Sequence, residues 1–140
     1  MTESTSVTKS DDHRPWPDTP VNLAEKISAV SAPWTPHIVG ALNGQLVKIA
    51  RLEGAFVWHA HEREDELFLV LRGSLRIEMR PPARDVTLRE GEFFIVPRGV
   101  EHRPVAEEGC VVMLFEPEAT SHAGGADTDR AVPINRQPRV

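Results

Sequence analysis

Residues 54–73 read GAFVWHAHEREDELFLVLRG, and this stretch is the strongest clue to the fold. Apolar and β-branched residues surround a His-x-His pair, His59 and His61, which predicts that the pair lies in a strand. Side chains alternate between the two faces of a strand, so residues two apart share a face, with Cα atoms roughly 6–7 Å apart. Both imidazoles can therefore reach one metal ion at about 2.0–2.2 Å, while Trp58 and Ala60 face the other way.

A carboxylate follows the histidine pair. Glu66 lies five residues after His61, and in one unbroken strand that odd spacing would put it on the opposite face. The very polar residues 62–65 predict a turn or bend that resets the alternation, so that Glu66 opens the next strand with Phe68 and Val70 on its inward face. Asp65 is the competing carboxylate, and periodicity alone does not decide between the two.

A third histidine lies in a second stretch, residues 91–106, which reads GEFFIVPRGVEHRPVA. Pro97 and Gly99 predict a tight turn that delivers a strand starting at or near His102. A set of three nitrogens and one oxygen would leave one or two coordination positions open, as a catalytic or ligand-binding metal requires.

The chain between about residues 35 and 117 alternates short apolar runs with Gly, Pro or charged residues. Many short strands at close spacing predict an antiparallel sandwich or barrel and disfavour a helical or parallel α/β fold. The predicted strands are 45–52, 55–61, 66–71, 75–79, 85–88, 93–96, 102–106 and 111–115.

We predict three segments along the chain. Residues 1–20 are polar and proline-containing, which indicates a mobile arm that buries too little apolar surface to become ordered. Residues 21–117 form a single barrel with a short N-terminal helix, which starts at Asn22, runs to about Val30 and is ended by Pro33. Residues 118–140 form a C-terminal tail.

Composition excludes several classes of function. Of the 140 residues, 40% are hydrophobic and the net charge is −5, with no clustered Lys/Arg surface, so we expect no nucleic-acid partner. No apolar run approaches the roughly 20 residues that a membrane-spanning helix needs. Cys110 is the single cysteine and the first residues lack a signal-peptide pattern, so we expect a soluble, cytoplasmic protein with Cys110 as a small buried residue.

The two stretches together resemble the two motifs of the cupin superfamily. The first motif runs Gly, about five residues, His-x-His, three or four residues, Glu, six residues, Gly, and residues 54–73 fit it with four residues in the first gap. The second motif runs Gly, five residues, Pro-x-Gly, two residues, His, three residues, Asn. Residues 91–106 fit it at every spacing, although Ala106 stands where Asn is usual.

This resemblance implies an all-β fold, the double-stranded β-helix (jelly-roll) barrel, in a protein that is usually a homodimer. It implies one divalent transition metal, which is Fe, Mn, Ni, Zn or Cu, and it favours Glu66 over Asp65 as the carboxylate ligand. The implied metal ligands are His59, His61, Glu66 and His102. The short single-barrel layout is similar to the group described as mannose-6-phosphate isomerase-like.

Two classes of function fit these expectations. The first is a metal-dependent enzyme acting on a small polar organic molecule by isomerase, dioxygenase, decarboxylase or lyase chemistry, with Glu66 as a ligand alone or also as a proton acceptor. The alternative is a non-catalytic module that binds or senses a small ligand or a metal.

Other polar and aromatic residues have simpler expected roles. Arg103 is expected to point outward, and the competing hypothesis is that Arg98 and Arg103 bind an anionic substrate at the rim of the pocket. Trp58 is expected to serve packing, and His122 lies in a loop-like Ser-His-Ala-Gly-Gly stretch that predicts solvent exposure.

Overall fold

The computed structural model describes residues 19–120 and 137–139. Residues 1–18, 121–136 and 140 lie outside this part, and with them the predictions for most of the arm, for most of the tail and for His122. The elements, in chain order, are α1 (Leu23–Ala29), β1 (His37–Leu42), β2 (Gln45–Ala55), β3 (Glu66–Met79), β4 (Val86–Arg89), β5 (Phe93–Val96) and β6 (His102–Pro117).

The short helix begins and ends where its capping residues predict. The side chain of Asn22 accepts a hydrogen bond from the backbone N–H of Glu25, and Val30 follows the last turn. Ile27 and Val30 pack on the outer face of the sheet against Val39 and Val111. Among the described residues, no helix is long and apolar enough to cross a membrane.

The strands form one antiparallel sheet in the order β1-β2-β6-β3-β4, and β5 also pairs with β3. The two longest strands, β3 and β6, lie side by side at its centre. Their first and second halves contribute side chains to one buried cluster, which contains Phe68 and Val70 as well as Leu75 and Ile77. The sheet therefore wraps around its own core, which confirms the predicted all-β barrel fold.

The breaks predicted within the two central strands were wrong. Residues 66–71 and 75–79 belong to the single strand β3, and residues 102–106 and 111–115 belong to β6. Gly73 adopts a φ of 81° and pairs with Cys110, with register shifts on both sides of it. A glycine in this conformation bends a strand without ending its pairing, because it has no Cβ to oppose the positive φ.

The predicted strand 55–61 was also wrong, although its face assignment was correct. Strand β2 ends at Ala55, and beyond it only His59 pairs, in an isolated antiparallel bridge with His102. Pro104 explains the gap, because it accepts a hydrogen bond from Phe56 but has no N–H to return. His59 and His61 still both face inward, at 7% and 3% exposure.

Two features were not anticipated. Strand β1 was absent from the predicted runs, and residues near the C-terminus pair with it: the N–H of Ile38 donates to the carbonyl of Pro138, and Arg139 bridges Ile38 in parallel. The segment boundaries at residues 20 and 117 stay predictions.

Candidate metal centre

Four side chains converge at one end of the barrel interior. One ligand atom from each of His59, His61, Glu66 and His102 lies within 4.8 Å of all the others. Glu66 Oε1 is 3.3 Å from Nε2 of His61 and 3.6 Å from Nε2 of His102. Two ligands that each lie about 2.1 Å from one ion at tetrahedral or octahedral angles are roughly 3.0–3.4 Å apart. The 3.3 Å separation falls in this range and the 3.6 Å separation lies just above it, so a small movement of the side chains would let the atoms share an ion.

Backbone carbonyls orient two of the three imidazoles. Nδ1 of His59 lies 2.9 Å from the carbonyl oxygen of Val57, and Nδ1 of His102 lies 2.9 Å from that of Val100. A carbonyl only accepts, so Nδ1–H donates in both rings and Nε2 keeps its lone pair. The backbones of the two histidines also exchange hydrogen bonds of 3.0 and 2.8 Å, which fixes both residues at one height in the barrel.

The turn at residues 97–99 positions His61. The N–H of Gly99 donates to the carbonyl of His61 at 2.8 Å, and the N–H of Arg98 donates to the carboxylate of Asp65, also at 2.8 Å. Hydrogen bonds from Arg98 hold the pKa of the exposed Asp65 below its usual value. Asp65 therefore supports the turn and lies outside the cluster, whereas Glu66 lies inside it with Phe68 and Val70 on the same inward face, as predicted.

The donor atoms of this cluster have the character of metal ligands. Within the described residues, four buried atoms of the cluster lack a hydrogen-bond partner: both ring nitrogens of His61, Oε1 of Glu66 and Nε2 of His102. Leaving buried polar atoms unpaired costs about 1–3 kcal/mol each, a cost that a bound cation would remove. Burial, with the neighbouring His102, lowers the pKa of His59 to about 4, so that its ring is neutral at neutral pH, as a metal ligand must be.

A buried ion pair lies behind Glu66 and was not anticipated from the sequence. Lys48 Nζ is 2.8 Å from Oε1 of Glu116, with side-chain exposures of 0% and 2%. Glu116 in turn lies beside Glu66 on the neighbouring strand, because Leu67 pairs with Phe115 in the ladder between β3 and β6. In the sequence, each of the two residues occupies a position that shares the inward face of its strand with apolar residues. The sequence alone does not show that the two strands are adjacent.

Glu66 and Glu116 are close enough to shift each other's pKa in opposite directions. Burial, followed by the charge of Glu66, raises the pKa of Glu116 well above its usual value. Burial also acts to raise the pKa of Glu66, but the neighbouring side chains of Glu116, His102 and His61 outweigh it and hold that pKa well below its usual value. The lowered pKa favours the carboxylate form of Glu66, which is the form that binds a cation.

An apolar pocket opens onto the cluster at His59 and Glu66. Trp34 stacks on Phe56 with ring centroids 4.7 Å apart, and its indole N–H donates to the carbonyl of Glu53 at 2.9 Å. The cavity volume of the pocket is about 20 Å³, which is room for roughly one water molecule. The remaining lining residues are Pro36, Ala50, Leu52, Phe68, Pro104 and Leu114. The sequence offered no clue that Trp34, which precedes the first strand, would lie here.

The two arginines considered for anion binding are both paired. Arg98 contacts Asp65, and Arg103 donates to Glu78 at 2.6 and 2.9 Å. The guanidinium groups of Arg80 and Arg103 lie 4.2 and 5.4 Å from the ring centroid of Trp58, which packs on the side away from the cluster.

Cys110 is buried, as predicted, and burial raises its pKa to about 12.

The sequence of this chain matches one known protein family. Residues 45–127 match the cupin domain family. A crystal structure of a cupin-2 domain containing protein from Shewanella frigidimarina superposes with a TM-score of 0.67 and 39% identity, covering 69% of this chain and 93% of that one.

Two curated relatives match over shorter segments. An uncharacterised protein of Bacillus subtilis, YdbB, is 34% identical over 65 residues, which is 46% of this chain and 57% of that protein. The 3-hydroxyanthranilate 3,4-dioxygenase of Bos taurus is 39% identical over 61 residues, 42% of this chain and 21% of the enzyme. The chain thus spans less than two thirds of either curated relative. The family match covers more than half of the chain, and the barrel and both motifs agree with it: this protein belongs to the cupin family.

Proposed function

We propose that this protein is a metal-dependent enzyme that binds one divalent transition metal through His59, His61, Glu66 and His102 and acts on a small organic molecule. The observation that supports this most directly is the convergence of four buried ligand atoms, several of them unpaired, at the end of a pocket. Three imidazoles and one carboxylate suit Fe, Mn, Ni, Zn or Cu.

The chain's own residues would prepare the ion and the ligand for reaction. A bound metal of this kind supplies Lewis acidity, or oxygen activation if it is redox-active. His59 and His102 present Nε2 because their Nδ1–H groups are held by carbonyls, and the hydrogen bond from Gly99 fixes the backbone of His61. The apolar pocket wall would exclude water from the face at which the ligand meets the ion.

The residues that line the pocket indicate a class of ligand. Its wall consists mainly of apolar and aromatic side chains, with His59 and Glu66 at the metal end. The polarity of this lining favours a ligand with an apolar part and with oxygen donors at the metal end, although the cavity of about 20 Å³ would have to widen to admit it. Together with the identity to 3-hydroxyanthranilate 3,4-dioxygenase, it favours dioxygenation of a hydroxylated aromatic compound among the four candidate reactions.

The first experiment measures metal content in protein purified without a metal-affinity tag. We expect close to one equivalent in the wild type and in Asp65→Asn, the matched control that changes the neighbouring exposed carboxylate. We expect loss of metal in Glu66→Gln and in the double variant His59→Ala/His61→Ala. Metal at background in the wild type, or equal metal in all four proteins, would contradict the proposal.

Turnover then separates an enzyme from a binding module. Protein reconstituted with Fe²⁺ is incubated with hydroxylated aromatics, keto acids and sugar phosphates while oxygen consumption and product formation are followed. We expect oxygen uptake with a hydroxylated aromatic, and none in Glu66→Gln. A wild type that binds metal and shows ligand-induced stabilisation without any turnover would instead indicate a ligand-binding or sensing cupin.

A homodimer is part of the proposal, with a second copy of the chain on the exposed sheet face. Rows of outward apolar side chains run in register across β5, β3 and β6: Ile95 beside Leu67 and Phe115, and Phe93 beside Leu69 and Met113. Phe93 and Ile95 are 60% and 47% exposed. Monomers rarely leave so contiguous an apolar patch in water, and a two-fold axis lets one face cover another of the same composition.

A further inference from the structure

The pocket beside the candidate metal centre is smaller than the ligand that the proposed function requires. Its cavity volume is about 20 Å³, whereas an apolar cavity that takes up one benzene molecule measures about 150 Å³. Part of the pocket wall must therefore move before an aromatic ring can reach the metal end at His59 and Glu66.

Most of the wall is fixed by strand pairing. Five lining residues have partners on neighbouring strands, namely Ala50 and Leu52 on β2, Phe68 on β3, and Pro104 and Leu114 on β6. Moving any of these strands would disrupt the hydrogen-bonded ladders of the sheet. Apart from the two candidate metal ligands, the lining residues outside the strands are Trp34 and Pro36, which precede β1, and Phe56, which follows β2.

Of these three residues, Trp34 has the side chain that can move by itself. Phe56 lies with its edge against the ring of His59, with centroids 5.3 Å apart, and its N–H donates to the carbonyl of Pro104 at 2.9 Å. The ring of Pro36 includes the backbone nitrogen, so it cannot rotate independently. The indole of Trp34 stacks on Phe56 and donates to the carbonyl of Glu53. A change of rotamer would break both contacts without disturbing a strand.

The backbone of Trp34 adopts a conformation that bulky residues rarely adopt. Its φ is 60°, in the left-handed region that favours glycine. The N–H of Trp34 donates to the carbonyl of Arg51 at 2.8 Å, and Pro33 bridges Arg51 in parallel, so that β2 holds this turn in place. Residues kept in such conformations cluster at ligand clamps and switch regions. Here the strained residue is part of the pocket wall.

We propose that Trp34 is the residue that determines the size of ligand the pocket accepts, because its indole occupies the space that the ring of a hydroxylated aromatic ligand would take. The ligand enters when the indole turns away from Phe56, and the paired strands around it then leave room for a single aromatic ring. This inference rests on the proposed function and deepens it, since it specifies the size of the ligand and the side chain that selects it.

The main test compares two ligands of different size. Protein loaded with Zn²⁺, which has no redox chemistry, is titrated calorimetrically without oxygen. The ligands are catechol, with one ring, and a dihydroxynaphthalene that carries the same adjacent hydroxyls on two fused rings. The wild type should prefer catechol. In Trp34→Ala the affinity for the two-ring ligand relative to catechol should rise about tenfold or more, because a misfit of one methylene in an apolar pocket already changes discrimination about 10–200-fold.

Trp58→Ala is the matched control. Trp58 lies in the same part of the chain as Phe56, but it packs against Arg80 on the side away from the cluster and does not line the pocket. Removing this indole should leave the ratio of the two affinities at the wild-type value. An equal rise in both variants would overturn the proposal.

A measurement on the unsubstituted protein keeps the test decisive if Trp34→Ala does not fold. The chain has three tryptophans, Trp16, Trp34 and Trp58, and the indole N–H signal of Trp34 in ¹⁵N-labelled protein is identified by its loss in Trp34→Phe. Catechol should speed the exchange of this proton with water, because the moving indole gives up its hydrogen bond to Glu53. A ligand bound beside a fixed Trp34 would leave the exchange unchanged or slow it.

The outcomes distinguish this inference from the proposed function. A wild type that binds no Zn²⁺ overturns both. When Zn²⁺ and catechol bind, an unchanged affinity ratio in folded Trp34→Ala, or exchange at Trp34 that catechol does not speed, overturns only the role of Trp34. The same holds if neither the wild type nor folded Trp34→Ala binds catechol after loading with Zn²⁺, since removal of the indole would then not admit a ring.

Discussion

At the scale of single residues, burial decides at which pH His59 of the candidate site takes up a proton. His59 is 7% exposed, and burial is the main reason that its pKa falls from 6.5 to about 4. The charged imidazolium is disfavoured in the barrel, whereas the unfolded chain keeps the ordinary value. Between these two values the unfolded chain therefore binds more protons than the folded chain.

The resulting pH dependence has a definite sign. Stability of the metal-free protein should rise with pH through the window from 4 to 6.5 and fall as the pH is lowered through it. From pH 7 to pH 5, His59 should account for a loss of about 2 kcal/mol in the free energy of unfolding. Urea unfolding of chelator-treated protein at both values measures this loss.

The matched variant is His59→Asn, whose amide can still donate to the carbonyl of Val57. Between pH 7 and pH 5, its free energy of unfolding should fall by about 2 kcal/mol less than that of the wild type. Equal pH dependence in the two proteins would show that His59 does not titrate as its burial requires.

Single residues also mark the limit of what the sequence predicts. The shared face of His59 and His61 followed from an alternation over two residues, and it was confirmed although the segment is not a regular strand. The choice between Glu66 and Asp65 depended on a bend in residues 62–65, and periodicity does not define a bend. The structure places Asp65 on Arg98 because the turn at residues 97–99 folds back over residue 61.

At the scale of elements, the bend at the centre of the sheet depends on a close approach of two strands. A Cβ on Gly73 would lie 2.7 Å from the backbone oxygen of Gly109 and 3.1 Å from Cβ of Cys110. The local glycine was visible in the sequence, but it was interpreted as the end of a strand. A glycine that ends a strand and one that bends it have the same local pattern, and only the partner strand distinguishes them.

Gly73→Ala should therefore lower the free energy of unfolding by more than the positive φ of residue 73 alone would. Gly54→Ala is the matched control, because Gly54 has a φ of 74° and a Cβ there would meet no atom within 4 Å beyond its chain neighbours. We expect about 1–2 kcal/mol of destabilisation for the control from backbone strain, and roughly 1–3 kcal/mol more for Gly73→Ala from overpacking. Chemical unfolding measures both, and equal losses would contradict the close approach.

At the scale of the whole molecule, the exposed apolar face predicts the oligomeric state. A stable dimer needs about 800 Å² of contact from each partner, and the two apolar rows on β5, β3 and β6 form the centre of a patch suited to that contact. The opposite, inward-facing side chains of the same strands fill the core, so the outward rows are not needed for the fold of one chain.

Sedimentation velocity should give a mass of two chains for the wild type at micromolar concentration. Phe93→Lys/Ile95→Lys should reduce this to one chain with the barrel intact, because two charges would be buried in each half of the interface. Leu42→Lys is the control, since Leu42 is 48% exposed at the end of β1 and outside the patch. A monomeric wild type, or a variant that remains dimeric, would contradict this interface.

The sequence by itself determined the shared face of His59 and His61, the all-β class and the capped helix, because each depends on residues a few positions apart. Only the tertiary structure decided that β3 and β6 are continuous, that Trp34 and Phe56 line the pocket, and that Lys48 meets Glu116 behind Glu66. Those contacts join residues up to 68 positions apart. Alternation along a strand tells which side chains point inward, but the register between strands decides which of them touch, and that register depends on the whole barrel closing around one core.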